Sequence, residues 1–194
     1  GGFGIPYSSD EAELDLMPIA DELESFAARA PNTRFVLELG RYLVAQAGWY
    51  MTSVVGHQTV QGRHAVVVDG GTHQRADLCG LCLPHKANPP IVLGADTSEL
   101  VETDVLGCLS LPADVMSEAR RLPRMSKGDV LAFANAGAYG LWASPAMFHG
   151  SALPAEVAFD GESTQLMREA RPASSVLQDQ RHVVPVDALA TPEQ

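Results

Sequence analysis

Between residues 15 and 30 apolar side chains recur at spacings of three and four: Leu16, Ile19, Leu23 and Phe26 share one face. That is the pattern of an amphipathic helix. Asp15 stands where an N-cap belongs, and Pro18 falls in the first turn, where its missing N–H is harmless. Pro31 and Asn32 stop the run. Arg34–Glu38 follows as a short apolar stretch ending in an acid, which predicts a strand. Tyr42–Ala47 reads as a brief helix closed by Gly48.

From Trp49 the period shortens. Trp49–Val60 is β-branched and aromatic, Gln61-Gly62 is a turn, and His64–Val68 returns as a strand that Asp69-Gly70-Gly71 ends. Ile91–Leu93, Leu100–Leu106 and Val130–Ala134 are further strands. Ala155–Phe159 and Thr164–Arg168 flank Asp160-Gly161, a pair that favours the type I′ turn of a hairpin. After residue 170 the chain turns polar and predicts poor order. The class expected is α+β. An α/β remnant occupies residues 1–47, an antiparallel β barrel or sandwich residues 48–169, and a tail residues 170–194.

Composition narrows the function. Of 194 residues, 46% are hydrophobic, enough for a packed core. A net charge of −11 argues against a nucleic-acid or anionic-membrane surface. No apolar run reaches the roughly 20 residues of a membrane span, and a secretory leader is not expected. Three cysteines are too few for a disulfide framework, so a reducing cytoplasm is expected.

Cys79-Gly80-Leu81-Cys82, with His85 nearby, has the spacing of a metal or redox pair. It lacks a second ligand pair and a βαβ setting, so two thiols in a loop is the plainer reading. His57, His64, His73, His149 and His182 form no metal-ligand spacing, and no metal is expected. His73, just past the Gly70-Gly71 turn, is the histidine placed nearest a site.

Four segments are candidates for chemistry. Gly1-Gly2-Phe3-Gly4 is the kind of run that follows a strand and lets backbone N–H groups approach a phosphate. It is expected to begin inside a larger fold, with a flexible tag as the alternative. Glu38-Leu39-Gly40-Arg41 sets an acid at a strand end before a glycine and a cation, which suits a ligand with a basic ring and a phosphate. Standing alone, it is more simply a turn with surface charges. Asn135-Ala136-Gly137-Ala138-Tyr139-Gly140 offers small residues for close approach and a tyrosine hydroxyl, or else a tight turn with a core tyrosine. Gly107–Asp114 carries a thiol, a hydroxyl and a carboxylate, each more often structural.

Taken in order, these segments resemble the ornithine/diaminopimelate group of pyridoxal-phosphate decarboxylases. Gly1–Gly4 is similar to the end of that family's glycine-rich phosphate loop, and Glu38–Tyr42 to its Glu-Pro-Gly-Arg-Tyr motif. Val67–Gly71 is similar to its Asp-Gly-Gly turn. Gly107–Asp114 resembles its Gly-Pro-x-Cys-x-x-x-Asp loop. Gly137–Gly140 and Pro154–Val157 resemble its closing motifs. The likeness runs from residue 1 to about 169.

The resemblance implies a (β/α)8 barrel, of which residues 1–47 are the end, followed by a β domain, with pyridoxal 5′-phosphate at the barrel's C-terminal face. Glu38 would then pair with the cofactor's ring nitrogen. Gly2, Gly4, Gly40 and Arg41 would hold its phosphate, and Tyr139 would reach the phosphate or the substrate. The Gly107–Asp114 loop would serve the active site of a partner subunit, which implies a homodimer, with Asp114 and Leu111 beside the substrate.

This chain departs from the family pattern at several positions. Leu39 replaces a proline. Ser110 stands at the position of the reactive cysteine, leaving Ser110 or the neighbouring Cys108 as the catalytic group. A hydroxyl is a far weaker acid than a thiol of pKa ~8.5. Leu111 stands where many relatives carry an acid that grips a distal ammonium. The resemblance therefore leans away from a basic diamino acid and towards other substrates, among them a glutamyl group on an acyl-carrier protein. Neither Lys86 nor Lys127 matches the family's cofactor lysine, so the N-terminal barrel portion is an expected partner. Two rivals stay open: a non-catalytic module that modulates an active partner, and an amino-acid racemase or epimerase of the same fold.

Overall fold

The structure is a computed structural model that describes residues 1–8, 10–79 and 89–180. The chain divides into two compact units, Gly1–Ala146 and Met147–Gln194.

In the first unit, helix α1 spans Met17–Arg29. The N-cap is Leu16, without a side-chain cap, rather than the expected Asp15; Asp15 stands one residue earlier, where its carboxylate accepts the Met17 amide at 3.0 Å. Arg34–Glu38, expected as a strand, is not one. A strand exists through its ladder, and no segment among the described residues pairs with it. Phe35, Val36 and Leu37 remain exposed. Helix α2, Gly40–Val44, continues into a 3-10 turn at Ala45–Ala47.

The body of the unit is a six-stranded sheet. Its strands are β1 (Tyr50–Val60), β2 (Arg63–Val68), β3 (Ile91–Val92), β4 (Leu100–Leu106), β5 (Val115–Pro123) and β6 (Val130–Phe133), in the order β3-β6-β1-β2-β4-β5. β1 and β2 form a hairpin across Gln61-Gly62, whose φ values of 52° and 82° are those a type I′ turn requires.

The expectation of an antiparallel domain is corrected here: the sheet is mixed, because β2 pairs with β4 in parallel. Parallel neighbours need a long crossover, and residues 69–99 supply it. They carry helix α3 (Thr72–Arg75) and a 3-10 turn at Ala76–Leu78. Arg63 of β2 reinforces the pair, donating from Nε and Nη2 to the Asp104 carboxylate of β4 at 3.0 and 2.9 Å.

The core lies on one face of the sheet and includes Tyr50, Val54, Val66, Val68, Val105, Met116, Leu131 and Phe133. Each such side chain contributes about 1.5–3 kcal/mol through burial. Leu78 and Cys79 complete it from the crossover. That burial makes the Cys79 thiol a packing group, while Cys82, His85 and Lys86 lie outside the described residues.

In the second unit, β7 (Glu156–Phe159) and β8 (Thr164–Arg168) form the expected hairpin. Its turn differs from the expected type I′. The loop is residues 160–163, and only Gly161, at φ 101°, is left-handed. The Asp160 carboxylate closes the loop, accepting the Glu162 and Ser163 amides at 2.9 and 2.8 Å. Of the tail, Ala173–Leu177 is a 3-10 helix, and the expectation for residues 181–194, His182 included, falls outside the described residues. No helix among the described residues is long and apolar enough to cross a membrane.

Candidate active site

Three segments remote in sequence meet at one cleft. Gly2, Phe3 and Gly4 form one wall, Glu38 to Arg41 a second, and Tyr139 a third, around a volume of about 210 Å³. Each wall has a local cause. Gly1 passes so close to residue 38 that a methyl on it would lie 2.9 Å from the Glu38 carbonyl oxygen. The Phe3 ring meets Tyr42 edge to face at 6.0 Å. The Asn135 side-chain amide donates to the Pro6 carbonyl at 3.0 Å, tying the opening segment to the loop after β6.

That loop is in turn sewn to the end of α2. The Ala136 amide donates to the Gly48 carbonyl and the Gly137 amide to the Ala45 carbonyl, both at 2.8 Å. Gly137 permits this approach, since any side chain there would overlap the Val44 carbonyl.

Arg41 is the cation of the cleft. Its guanidinium carbon sits 4.9 Å from the Tyr139 ring centre and 5.6 Å from that of Tyr7, within the range of cation–π attraction. Its Nε is buried with no hydrogen-bond partner among the described residues. Burial pushes the Tyr7 hydroxyl above its ordinary pKa, against the pull of Arg41. Glu38, on the same wall as Arg41, is exposed. The lining therefore offers one cation, Arg41, and one carboxylate, Glu38, chemistry suited to a ligand that carries both charges.

The structure therefore brings Gly2, Gly4, Glu38, Gly40, Arg41 and Tyr139 together. It places Cys108, Ser110, Leu111 and Asp114 elsewhere, outside the lining of this cleft. Cys108 and Ser110 are exposed, and Leu111 is half-buried. The Cys108 thiol approaches the Asp69 carbonyl at 3.6 Å. Partial burial, followed by the Asp114 charge, raises its pKa.

Asp114 itself is 2% exposed. Its carboxylate accepts the Thr72 amide at 2.7 Å, the Thr72 hydroxyl at 2.8 Å and the Leu109 amide at 2.9 Å. As placed, it locks the Gly70-Gly71 turn to the Gly107–Asp114 loop. His73 is fully buried behind that turn. Among the described residues no cluster of three or more His, Cys, Asp or Glu side chains could hold a metal.

Sequence reasoning missed Tyr7, Arg75 and Asp77. Tyr7 lies three residues past the glycine run, and its position there was the available signal. Arg75 and Asp77 sit in a polar run that composition assigns to the surface, yet both are buried.

Residues 19–137 match the family described as "Pyridoxal-dependent decarboxylase, C-terminal sheet domain". Among curated proteins, the chain is 34% identical over 190 residues to the L-glutamyl-[BtrI acyl-carrier protein] decarboxylase of Niallia circulans, covering 93% of this chain and 44% of that protein. It is 35% identical over 156 residues to the diaminopimelate decarboxylase of Deinococcus radiodurans, covering 79% and 39%. Among solved structures, the diaminopimelate decarboxylase of M. jannaschii in complex with L-lysine superposes with a TM-score of 0.78 at 24% identity, over 95% of this chain and 42% of that one. The chain thus spans under half the length of these relatives.

Proposed function

The chain belongs to the pyridoxal-dependent decarboxylases, as their C-terminal sheet domain, and from that premise we propose that it is the C-terminal portion of a pyridoxal-phosphate-dependent amino-acid decarboxylase. In this reading residues 1–47 close a (β/α)8 barrel whose N-terminal portion carries the cofactor lysine. The β domain follows from residue 48.

The observation that carries the proposal is the cleft, where the glycine run, Glu38, Arg41 and Tyr139 converge from three parts of the chain. Its residues fit pyridoxal 5′-phosphate. A methyl added at Gly2, Gly4 or Gly40 would meet nothing within 4 Å, so no side chain of the described residues obstructs the cleft at these walls. The buried, unpartnered Arg41 Nε calls for an acceptor. Arg41 and the neighbouring amides would hold the phosphoryl group. The Glu38 carboxylate would accept the hydrogen bond of the ring N–H and favour the protonated nitrogen. Tyr139 would serve the phosphoryl group from the third wall. The cofactor, when bound, supplies an electron sink for the pair left by the departing carboxylate.

The Gly107–Asp114 loop, outside this cleft, serves the neighbouring subunit of a homodimer. Burial and the Asp114 charge raise the Cys108 pKa and so weaken that thiol as an acid; Cys108 and Ser110 are the two groups of the loop proposed for the proton transfer. Leu111 leaves a distal ammonium without a partner there. The substrate proposed is therefore not a basic diamino acid but a glutamyl group on an acyl-carrier protein, the kind named for the Niallia circulans relative. The compartment proposed is the cytoplasm.

The test combines this chain with its lysine-bearing barrel portion. The assembled protein should bind pyridoxal phosphate with a visible absorption band and release carbon dioxide. Glu38→Ala should lower kcat about a hundredfold. A colourless complex, or full activity in the Ala variant, would refute the reading. Product analysis, carbon dioxide against inverted substrate, separates a decarboxylase from a racemase.

A further inference from the structure

Arg75 and Asp77 line no part of the cleft, yet they are 6% and 5% exposed. A buried ion pair seldom adds net stability over an apolar pair of the same size, so its geometry is worth following. Arg75 donates from Nη2 to Asp77 Oδ2 at 2.5 Å. The same guanidinium reaches the loop after β6. Nη1 donates to the Ala136 carbonyl at 2.5 Å and Nη2 to the Ala138 carbonyl at 3.1 Å. Those two carbonyls bracket Gly137 and lead directly into Tyr139.

Tyr139 needs such support. Its φ is 61°, and that of Gly140 is 52°. A non-glycine residue in the left-handed region costs about 1–2 kcal/mol and persists only when its surroundings enforce it. Beyond the Tyr139 ring, at 4.9 Å, lies Arg41. The buried acid also links back to the cleft. Burial raises the Asp77 pKa, opposed first by Arg75 and also by the charge of Arg41. Asp77 therefore lies within electrostatic reach of both guanidinium groups.

We propose that Arg75, oriented by Asp77, is a positioning residue for the cleft: it clamps the Ala136 and Ala138 carbonyls and so holds Tyr139, and through it Arg41, where a phosphate monoester binds. This rests on the cofactor reading above and adds a residue to it. A purely structural Arg75 would lower stability without singling out the phosphate.

Pyridoxal 5′-phosphate and pyridoxal differ only in that phosphate. Both are titrated into the assembled enzyme stripped of cofactor, as wild type and as Arg75→Met, Arg75→Lys and Asp77→Asn. Arg75→Met should cut the preference for the phosphate-bearing ligand about tenfold, the loss expected from one weakened charge-assisted contact. Pyridoxal affinity should hold. Arg75→Lys, which keeps the charge but not the planar fork, should fall between Arg75→Met and wild type, and Asp77→Asn should shift the same way. If Arg75→Met fails to fold, the other two variants make the same comparison. Equal losses for both ligands, or a preference left intact in every variant, would overturn the positioning role alone. A wild-type enzyme with no preference for the phosphate would overturn the cofactor reading, and this proposal with it.

Discussion

At Gly71 an added methyl group would come within 2.6 Å of the Asp114 carboxylate, and at Gly107 it would overlap that carboxylate, whereas at Gly2, Gly4 and Gly40 it would meet nothing within 4 Å. The first pair lets the protein fill its own space. Asp114 enters where side chains are missing and binds two amides and a hydroxyl. The second set leaves space that no part of the described chain fills. Both groups sit in motifs of the same family, so a glycine motif alone does not announce a ligand. What separates them is whether a neighbouring side chain already occupies the room.

Substitution tests this contrast most strongly at the closed turn. Gly107→Ala should cost about 3 kcal/mol by displacing Asp114 from its three donors, read as a fall in the urea midpoint. An unchanged midpoint would erase the distinction. At the open wall Gly4→Ala should change stability by less than about 0.5 kcal/mol. It should nonetheless weaken pyridoxal phosphate binding several-fold in the assembled enzyme, because the methyl intrudes on the cleft. A large stability loss there would show the wall to be packed rather than open.

The smallest effect extends the contrast to carboxylates. Asp160 does at the surface what Asp114 does in the core. The amides of Ser163 and Glu162 and the Ser163 hydroxyl lower its pKa from 3.8 to about 2. Because the folded value is the lower one, the turn's stabilisation is complete above about pH 4 and is lost as pH falls through about 2. The Glu162 and Ser163 amide resonances should titrate with a midpoint near 2; a midpoint near 3.8 would mean that the turn is open in solution.

Much of the fold was legible in the residues. β1, β2, β4 and the β7–β8 hairpin carry alternating or β-branched runs bounded by turn residues, and a period of two survives in any context. β5 was not legible. Its burial does not alternate, and it bears Arg120, Arg121 and a terminal Pro123. A bulge at Ala119, φ 50°, is held by the Asp104 carboxylate at 2.7 Å. That support comes from another strand, so the local pattern breaks where the tertiary contact begins. Arg34–Glu38 failed in the opposite way, an apolar run without a described partner strand.

The candidate site divides along the same line. The resemblance of the motifs, taken in order, named the residues that line the cleft, whereas each motif standing alone reads as an ordinary turn. Composition likewise set the acidic charge. The parallel junction of β2 and β4, the burial of Asp114 beneath two glycines and the reach of Arg75 to the Ala136 carbonyl were decided only in three dimensions. Each joins positions far apart in the chain, and a charge that looks solvated in a polar run becomes buried when another segment folds over it. Local chemistry is written residue by residue; distance through space is set by the packing of the whole sheet.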